Sequence, residues 1–158
     1  MRAPPAVPPR VPSSMVKVLV VDDFEPWCRL ICSMLQKIAE LQIVGEVSDG
    51  LEAVQRARQL QPDLIMLDAG LPGINGIEVA TRIHQFLPTT KILFVSEDSS
   101  PEVAEAALST GARGFVVKSD AGKDLLPAVE AVLRGGRFIS SSLPLSLNER
   151  AEDGIEKN

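Results

Sequence analysis

The hydrophobic pattern changes period along the chain, and its most informative stretch is Leu64-Ile65-Met66-Leu67-Asp68. Large apolar residues run without a break and end in a carboxylate. A strand with one wet face alternates, whereas a continuous apolar run reads as a central strand covered on both faces. That is the habit of parallel sheets flanked by helices. Comparable runs recur: Val16 to Val21 ends in Asp22-Asp23, Ile43 to Val47 in Ser48-Asp49-Gly50, Lys91 to Val95 in Ser96, and Gly114 to Val117 in Lys118. Between them the period lengthens to that of a helix. Trp27, Leu30, Ile31, Met34, Leu35 and Ile38 recur three and four apart behind Pro26, a residue the first helical turn tolerates. Leu51, Val54, Ala57 and Leu60 predict a second helix, ended before Pro62. A third spans Ile77 to Phe86, stopped by Pro88, and a short Ala- and Glu-rich fourth spans Pro101 to Leu108 before Gly111. Leu125, Leu126, Val129, Val132 and Leu133 mark a fifth, closed by Gly135-Gly136. Phe138-Ile139 is expected to dock briefly, ahead of a polar tail. Five strands alternating with five helices predict one α/β domain on a parallel sheet.

Composition narrows the function classes. At 158 residues and 45% hydrophobic, the chain suits one packed domain. Residues 1–14, with Pro4, Pro5, Pro8, Pro9 and Pro12, are expected to form a disordered leader. The apolar runs are too short to cross a bilayer, and no stretch has a signal-peptide layout. A net charge of −5 argues against nucleic-acid binding by this chain alone. Cys28 and Cys32, with His84 far away in sequence, read as free thiols in a reducing cytosol rather than as a zinc site. Trp27 is expected in the core. His84 is expected at the surface, beside core positions Ala80, Ile83 and Leu87.

The strand ends carry the chemistry. All carboxyl ends of a parallel sheet lie on one edge, where open α/β sheets bind ligands, so Asp22, Asp23, Asp68, Ser96 and Lys118 are predicted to converge. Two carboxylates about 4 Å apart repel by roughly 4 kcal/mol at an effective dielectric near 20. Gathering three therefore calls for a cation or for proton uptake. Mg²⁺, a hard ion that uses one or two carboxylates, waters and phosphate oxygens, suits the set. With a lysine for a phosphoryl oxygen, a serine hydroxyl and a nucleophilic aspartate, the group reads as a phosphoryl-transfer site.

Over about residues 16–139 the chain resembles a bacterial two-component response-regulator receiver domain. The resemblance rests on Asp22-Asp23, on Asp68 with Pro72 and Gly76 after it, and on Ser96, Gly111-Ala112, Phe115 and Lys118. It implies a flavodoxin-like (βα)5 doubly wound parallel sheet in order 2-1-3-4-5, spanning 15–139, with 140–158 a polar tail or truncated linker. It implies that Asp68 accepts a phosphoryl group from a histidine kinase, a phosphotransfer protein or a small donor. Mg²⁺ would then be held by Asp23, Asp68 and the backbone carbonyl of Gly70, with Asp22 acting through water. Lys118 would pair with the phosphoryl group, Ser96 would hydrogen-bond it, and Phe115 would swing inward. Such a domain is a cytoplasmic phosphoacceptor with self-catalysed transfer and dephosphorylation only. Its implied partners are a downstream protein or its own output domain, and a phosphorylation-dependent homodimer.

Leu133-Arg134-Gly135-Gly136-Arg137-Phe138-Ile139-Ser140 resembles the end of receivers that carry a helix-turn-helix output domain. The residues from Ser141 to Asn158 are too few for that domain, so a stand-alone receiver and a fragment cut in the linker both stay open. Glu97 stands where the family has a small residue, and would narrow or repel access to the phosphoryl group. Ser119 follows Lys118 where proline is frequent, so the family's cis peptide is not expected at its usual cost of about 3 kcal/mol. Leu71 replaces a common methionine, and Gly70 and Asp98 occupy positions that set phosphoryl lifetime. Two other functions remain: a phosphorylation-independent docking or dimerisation module, and a small Mg²⁺-dependent phosphatase. Against the latter stands the lack of a cap domain or acid–base partner.

Overall fold

The structure, a computed structural model, describes residues 15–144 and 146–147; the expected leader lies outside these residues. In chain order the elements are β1 (Val16–Val21), α1 (Glu25–Leu35), β2 (Leu41–Val47), α2 (Gly50–Leu60), β3 (Leu64–Leu67) and α3 (Gly76–Phe86). They continue with β4 (Lys91–Ser96), α4 (Pro101–Leu108), β5 (Gly114–Val117), a 3-10 turn (Lys118–Asp120), α5 (Ala121–Leu133) and β6 (Phe138–Ile139). Asp49, Asn75 and Ser100 cap α2, α3 and α4, each accepting a hydrogen bond from the backbone N–H three residues on.

The sheet runs β2-β1-β3-β4-β5-β6, with every neighbouring pair parallel. The predicted order of five strands is present, and Phe138-Ile139 extends it by pairing with Gly114-Phe115. Successive residues of one strand feed two different cores. Leu19, Ile65, Leu67, Phe94 and Phe115 pack on the face that also holds Ala53, Ala57, Val79, Ile83, Ala104 and Ala107. Val18, Val20, Leu64, Met66, Leu93 and Val116 pack on the face of Ile31, Leu35, Leu125, Val129 and Val132. Unbroken apolar runs follow from this, because neither face of the sheet is wet.

Several expectations change. Leu30 (47% exposed) and Leu51 (56%) leave the apolar stripes assigned to them. In α2 the buried positions are instead Gly50, Ala53 and Ala57, small residues that let the helix approach closely, Gly50 against Ile74 and Val79. Leu87 is half-buried while Val79 is fully buried. His84 is not a free surface residue: it is half-buried, and its Nδ1 meets the Thr110 carbonyl oxygen at 2.7 Å, tying α3 to the end of α4. Trp27 is half-buried against the α1/α5 core. Cys28 and Cys32 are free, and burial, helped by nearby carboxylates, pushes both thiols up to about 11, far from thiolate reactivity.

The segment after β6 is less polar in its packing than its composition suggests. Leu143 and Leu147 are buried in the same core as Phe115. Its serines clasp the start of α5: Ser140 and Ser141 hydroxyls and the Ser141 N–H donate to buried Asp124 Oδ2 at 3.1–3.2 Å. The single Ser140 hydroxyl proton is shared with Asp120, the nearer acceptor at 2.7 Å, while its oxygen accepts from the Val117 N–H at 3.1 Å. The serine hydroxyls hold the Asp120 carboxyl below its usual range. Asp124→Ala removes the acceptor of the Ser141 N–H and hydroxyl while Ser140 keeps Asp120, and is expected to cost about 1 kcal/mol in urea unfolding. An unchanged midpoint would refute the clasp.

Candidate phosphoacceptor site

The register of the sheet assembles the site. Val21 pairs with Leu67, so Asp22 and Asp68 leave adjacent strands side by side, and Ser96 pairs with Val117, the residue before Lys118. Asp68 N–H donates to the Val21 carbonyl and Asp22 N–H to that of Val47, both at 3.0 Å, which fixes the backbone at the edge. Asp22 and Asp68 are buried at 2% and 7% exposure, whereas Asp23 is open to solvent. Carboxylate oxygens of all three lie within 4.8 Å of one another. Lys118 Nζ stands 2.7 Å from Asp22 Oδ2 and 3.8 Å from Asp68 Oδ2.

Asp68 Oδ1 accepts from the Gly70 N–H at 3.0 Å and Asp22 Oδ1 from the Phe24 N–H at 2.9 Å. Burial raises the Asp68 pKa above the ordinary carboxylate value; the Gly70 hydrogen bond opposes this, Asp22 reinforces it, Lys118 opposes it and Asp23 reinforces it. A dication would relieve that strain. Mg²⁺ holds oxygens at about 2.0–2.1 Å, so oxygens on opposite sides of it stand roughly 4.2 Å apart. The spread of the three carboxylates is close to this. Asp22 Oδ2, buried with no aligned hydrogen-bond donor, fits a hydrated cation nearby. The donor set suits Mg²⁺.

A cleft of about 620 Å³ opens over Asp68, lined by Asp23, Ser96, Glu97, Asp98 and Lys118 among others. Residues 18–130 match the family model of the response regulator receiver domain. The chain belongs to that family.

Curated relatives agree. A putative transcriptional regulator of Pseudomonas aeruginosa is 39% identical over 88% of this chain and 67% of its own length. The response regulator GacA of Pseudomonas syringae pv. syringae is 33% identical over 84% of this chain and 62% of its own length. The chain thus spans about two thirds of these relatives. Among solved structures, a LuxR-family two-component response regulator from Aurantimonas sp. SI85-9A1 superposes with a TM-score of 0.80 at 29% identity, covering 87% of this chain and 98% of that one. The isolated receiver domain of RcsB from Salmonella enterica serovar Typhimurium, solved with the phosphomimetic BeF3⁻, gives 0.77 at 25% identity, covering 82% and 96%. This chain is therefore a receiver domain of the two-component signalling class.

The remaining residues singled out in the sequence fall into place around the receiver's cleft. Ser96 is buried, and its oxygen accepts from the Asp98 N–H at 3.1 Å. Phe115 already lies inside the core, stacked on Phe94 with ring centroids 6.1 Å apart. Glu97 and Asp98 stand exposed on the wall of the cleft that Lys118 also lines, adding negative charge to it. Among the described residues no peptide bond is cis, that between Lys118 and Ser119 included. Sequence reasoning missed Trp27, whose ring lies 5.1 Å from Lys118 Nζ. Its place on the apolar stripe of α1 concealed a second contact. No helix among the described residues is long and apolar enough to cross a membrane.

Proposed function

We propose that this receiver accepts a phosphoryl group on Asp68 from a histidine kinase or phosphotransfer protein, in a Mg²⁺-dependent step, and thereby switches its binding to a downstream partner. The observation that carries this reading is the buried Asp68 carboxylate, 3.8 Å from Lys118 and grouped with Asp22 and Asp23. A carboxylate oxygen of Asp68 forms the new bond to phosphorus, while the bond to the donor breaks and its electron pair leaves with the donor. Burial makes that carboxylate more basic. Lys118 offsets charge on the transferred group, and the Ser96 hydroxyl donates to one of its oxygens. Asp23, Asp68 and the Gly70 carbonyl would hold Mg²⁺, with Asp22 acting through water; the ion supplies charge neutralisation between nucleophile and phosphoryl oxygens.

The partner it switches is a downstream protein, an output domain on the same polypeptide, or a second receiver, and the site of action is the cytoplasm. Transfer and its reversal by hydrolysis are the whole of its chemistry; it is a switch rather than a turnover enzyme. A docking module that ignores phosphorylation is the second reading, favoured by the exposed Glu97 anion on the cleft wall.

Metal affinity gives the test. Mg²⁺ at a hundredfold excess over its dissociation constant stabilises by about 2.7 kcal/mol, which raises Tm by roughly 5–10 °C. Asp23→Ala is expected to lose this rise, and chelation is expected to stop phosphoryl uptake from acetyl phosphate. Uptake in the presence of excess chelator would refute the metal assignment.

A further inference from the structure

We infer that Trp27 is a positioning residue for phosphotransfer, its indole face holding the Lys118 ammonium between Asp22 and Asp68 by a cation–π contact. This rests on the phosphoacceptor reading and adds to it a residue on a different element.

An ammonium has three N–H donors. Asp22 Oδ2 at 2.7 Å pairs with its charge without an aligned hydrogen bond, and Asp68 Oδ2 at 3.8 Å attracts it from a second side. The indole face, its centroid 5.1 Å from Nζ, is an electron-rich surface within reach of the ammonium, inside the roughly 6 Å range of such contacts. The Lys118 side chain is only 8% exposed, so water competes poorly for that position. The ring is itself held. The Trp27 backbone N–H donates to the Phe24 carbonyl at 3.0 Å in the first turn of α1, and the side chain packs on the α1/α5 core. Its Nε1 is buried without a partner. Leaving that donor unmade costs stability, and an aliphatic side chain would fill the space without the cost. What an aliphatic residue lacks is a π face towards Lys118.

The ring therefore keeps Nζ within one short movement of Asp68, where an added phosphoryl oxygen can bind it. Without the ring, the cleft's exposed anions, Asp23 and Glu97, are free to draw the lysine outward. Its pull on Asp68 weakens.

Trp27 is the only tryptophan of the chain, which permits a nearly isosteric test. Biosynthetic replacement by mono-, di- and trifluorotryptophan drains the ring face of negative potential while changing its shape little. The rate of phosphoryl uptake from acetyl phosphate is expected to fall stepwise with fluorine count. Trp27→Leu is expected to slow it about 3- to 30-fold, the span of a cation–π contact between exposed and desolvated limits, with Trp27→Phe in between. A merely structural ring would leave the fluorinated series at the rate of the ordinary protein, which would overturn the inference. The second arm needs no phosphoryl donor: the ¹⁹F resonance of 5-fluorotryptophan at position 27 is expected to shift in Lys118→Met, and an unmoved resonance also overturns it. If the protein with ordinary tryptophan takes up no phosphoryl group, the acceptor reading fails, and the ¹⁹F arm alone decides whether the ring holds the lysine.

Discussion

Gly76→Ala is expected to lower stability by about 3 kcal/mol, and Tm by roughly 6–12 °C, although it adds one methyl group. A Cβ at this position would stand 2.0 Å from the Asp68 carbonyl oxygen and 2.8 Å from Ala69 Cα. Both are backbone atoms, at the point where β3 ends and the functional aspartate begins. Neither can rotate away. Gly76 N–H also donates to the Ala69 carbonyl at 2.9 Å, so the first turn of α3 is bound to the loop it would have to leave. The substitution thus has a functional arm: Asp68 shifts with its carbonyl, and the rise of Tm with Mg²⁺ shrinks. Gly122→Ala is the control, because nothing lies within 4 Å of the added Cβ and the site is helical. There alanine is expected to stabilise by about 0.5–1 kcal/mol. Equal effects at the two positions would refute the close approach.

Asp68→Asn is expected to do the opposite to stability while removing function. Burial raises the Asp68 pKa, and Asp22 and Asp23 add to the shift against Gly70 and Lys118. An acid with a raised folded pKa binds its proton more tightly in the fold than in the unfolded chain. The ionised form therefore costs stability, and the cost grows as pH rises from the ordinary value of 3.8 through the folded pKa. Asparagine keeps an oxygen for the Gly70 N–H and removes the charge. At pH 7 without Mg²⁺ its Tm is expected to exceed that of the wild type by about 2–4 °C, a gain of about 1 kcal/mol. The difference should vanish as pH falls below 3.8, where the wild-type carboxyl is protonated in both states. Saturating Mg²⁺ should reverse the order, because only the wild type retains the full carboxylate set. A pH-independent difference would show that the gain has another cause than charge.

The parts of this molecule that were legible in its sequence are those governed by short-range rules. Leu64 to Leu67 is buried on both faces and therefore unbroken, and each strand's exit into Asp22, Asp68, Ser96 or Lys118 marks the same sheet edge. Parallel pairing then brings those exits together without further information. The departures came where tertiary distance decides. Leu51 fits the helical period, but the sheet approaches α2 through Ala53 and Ala57, which leaves no room for a leucine stripe and turns Leu51 outward. His84 is tied down by a carbonyl that lies 26 residues away in sequence. Ser140, Ser141 and Ser142 read as linker by composition. Their hydroxyls instead satisfy Asp120 and Asp124, which only the docking of β6 brings near. Trp27 packs on the α1/α5 core and also meets the Lys118 charge. Periodicity registers the first alone.

The most direct measurement is the intact mass of the purified chain after incubation with acetyl phosphate and Mg²⁺, with Asp68→Asn treated in parallel. The account predicts a gain of one phosphoryl group in the wild type, none in Asp68→Asn, and none in either protein when Mg²⁺ is chelated. An equal gain in both proteins, or none in a wild type shown to bind Mg²⁺ and offered a phosphorylated histidine donor, would contradict it.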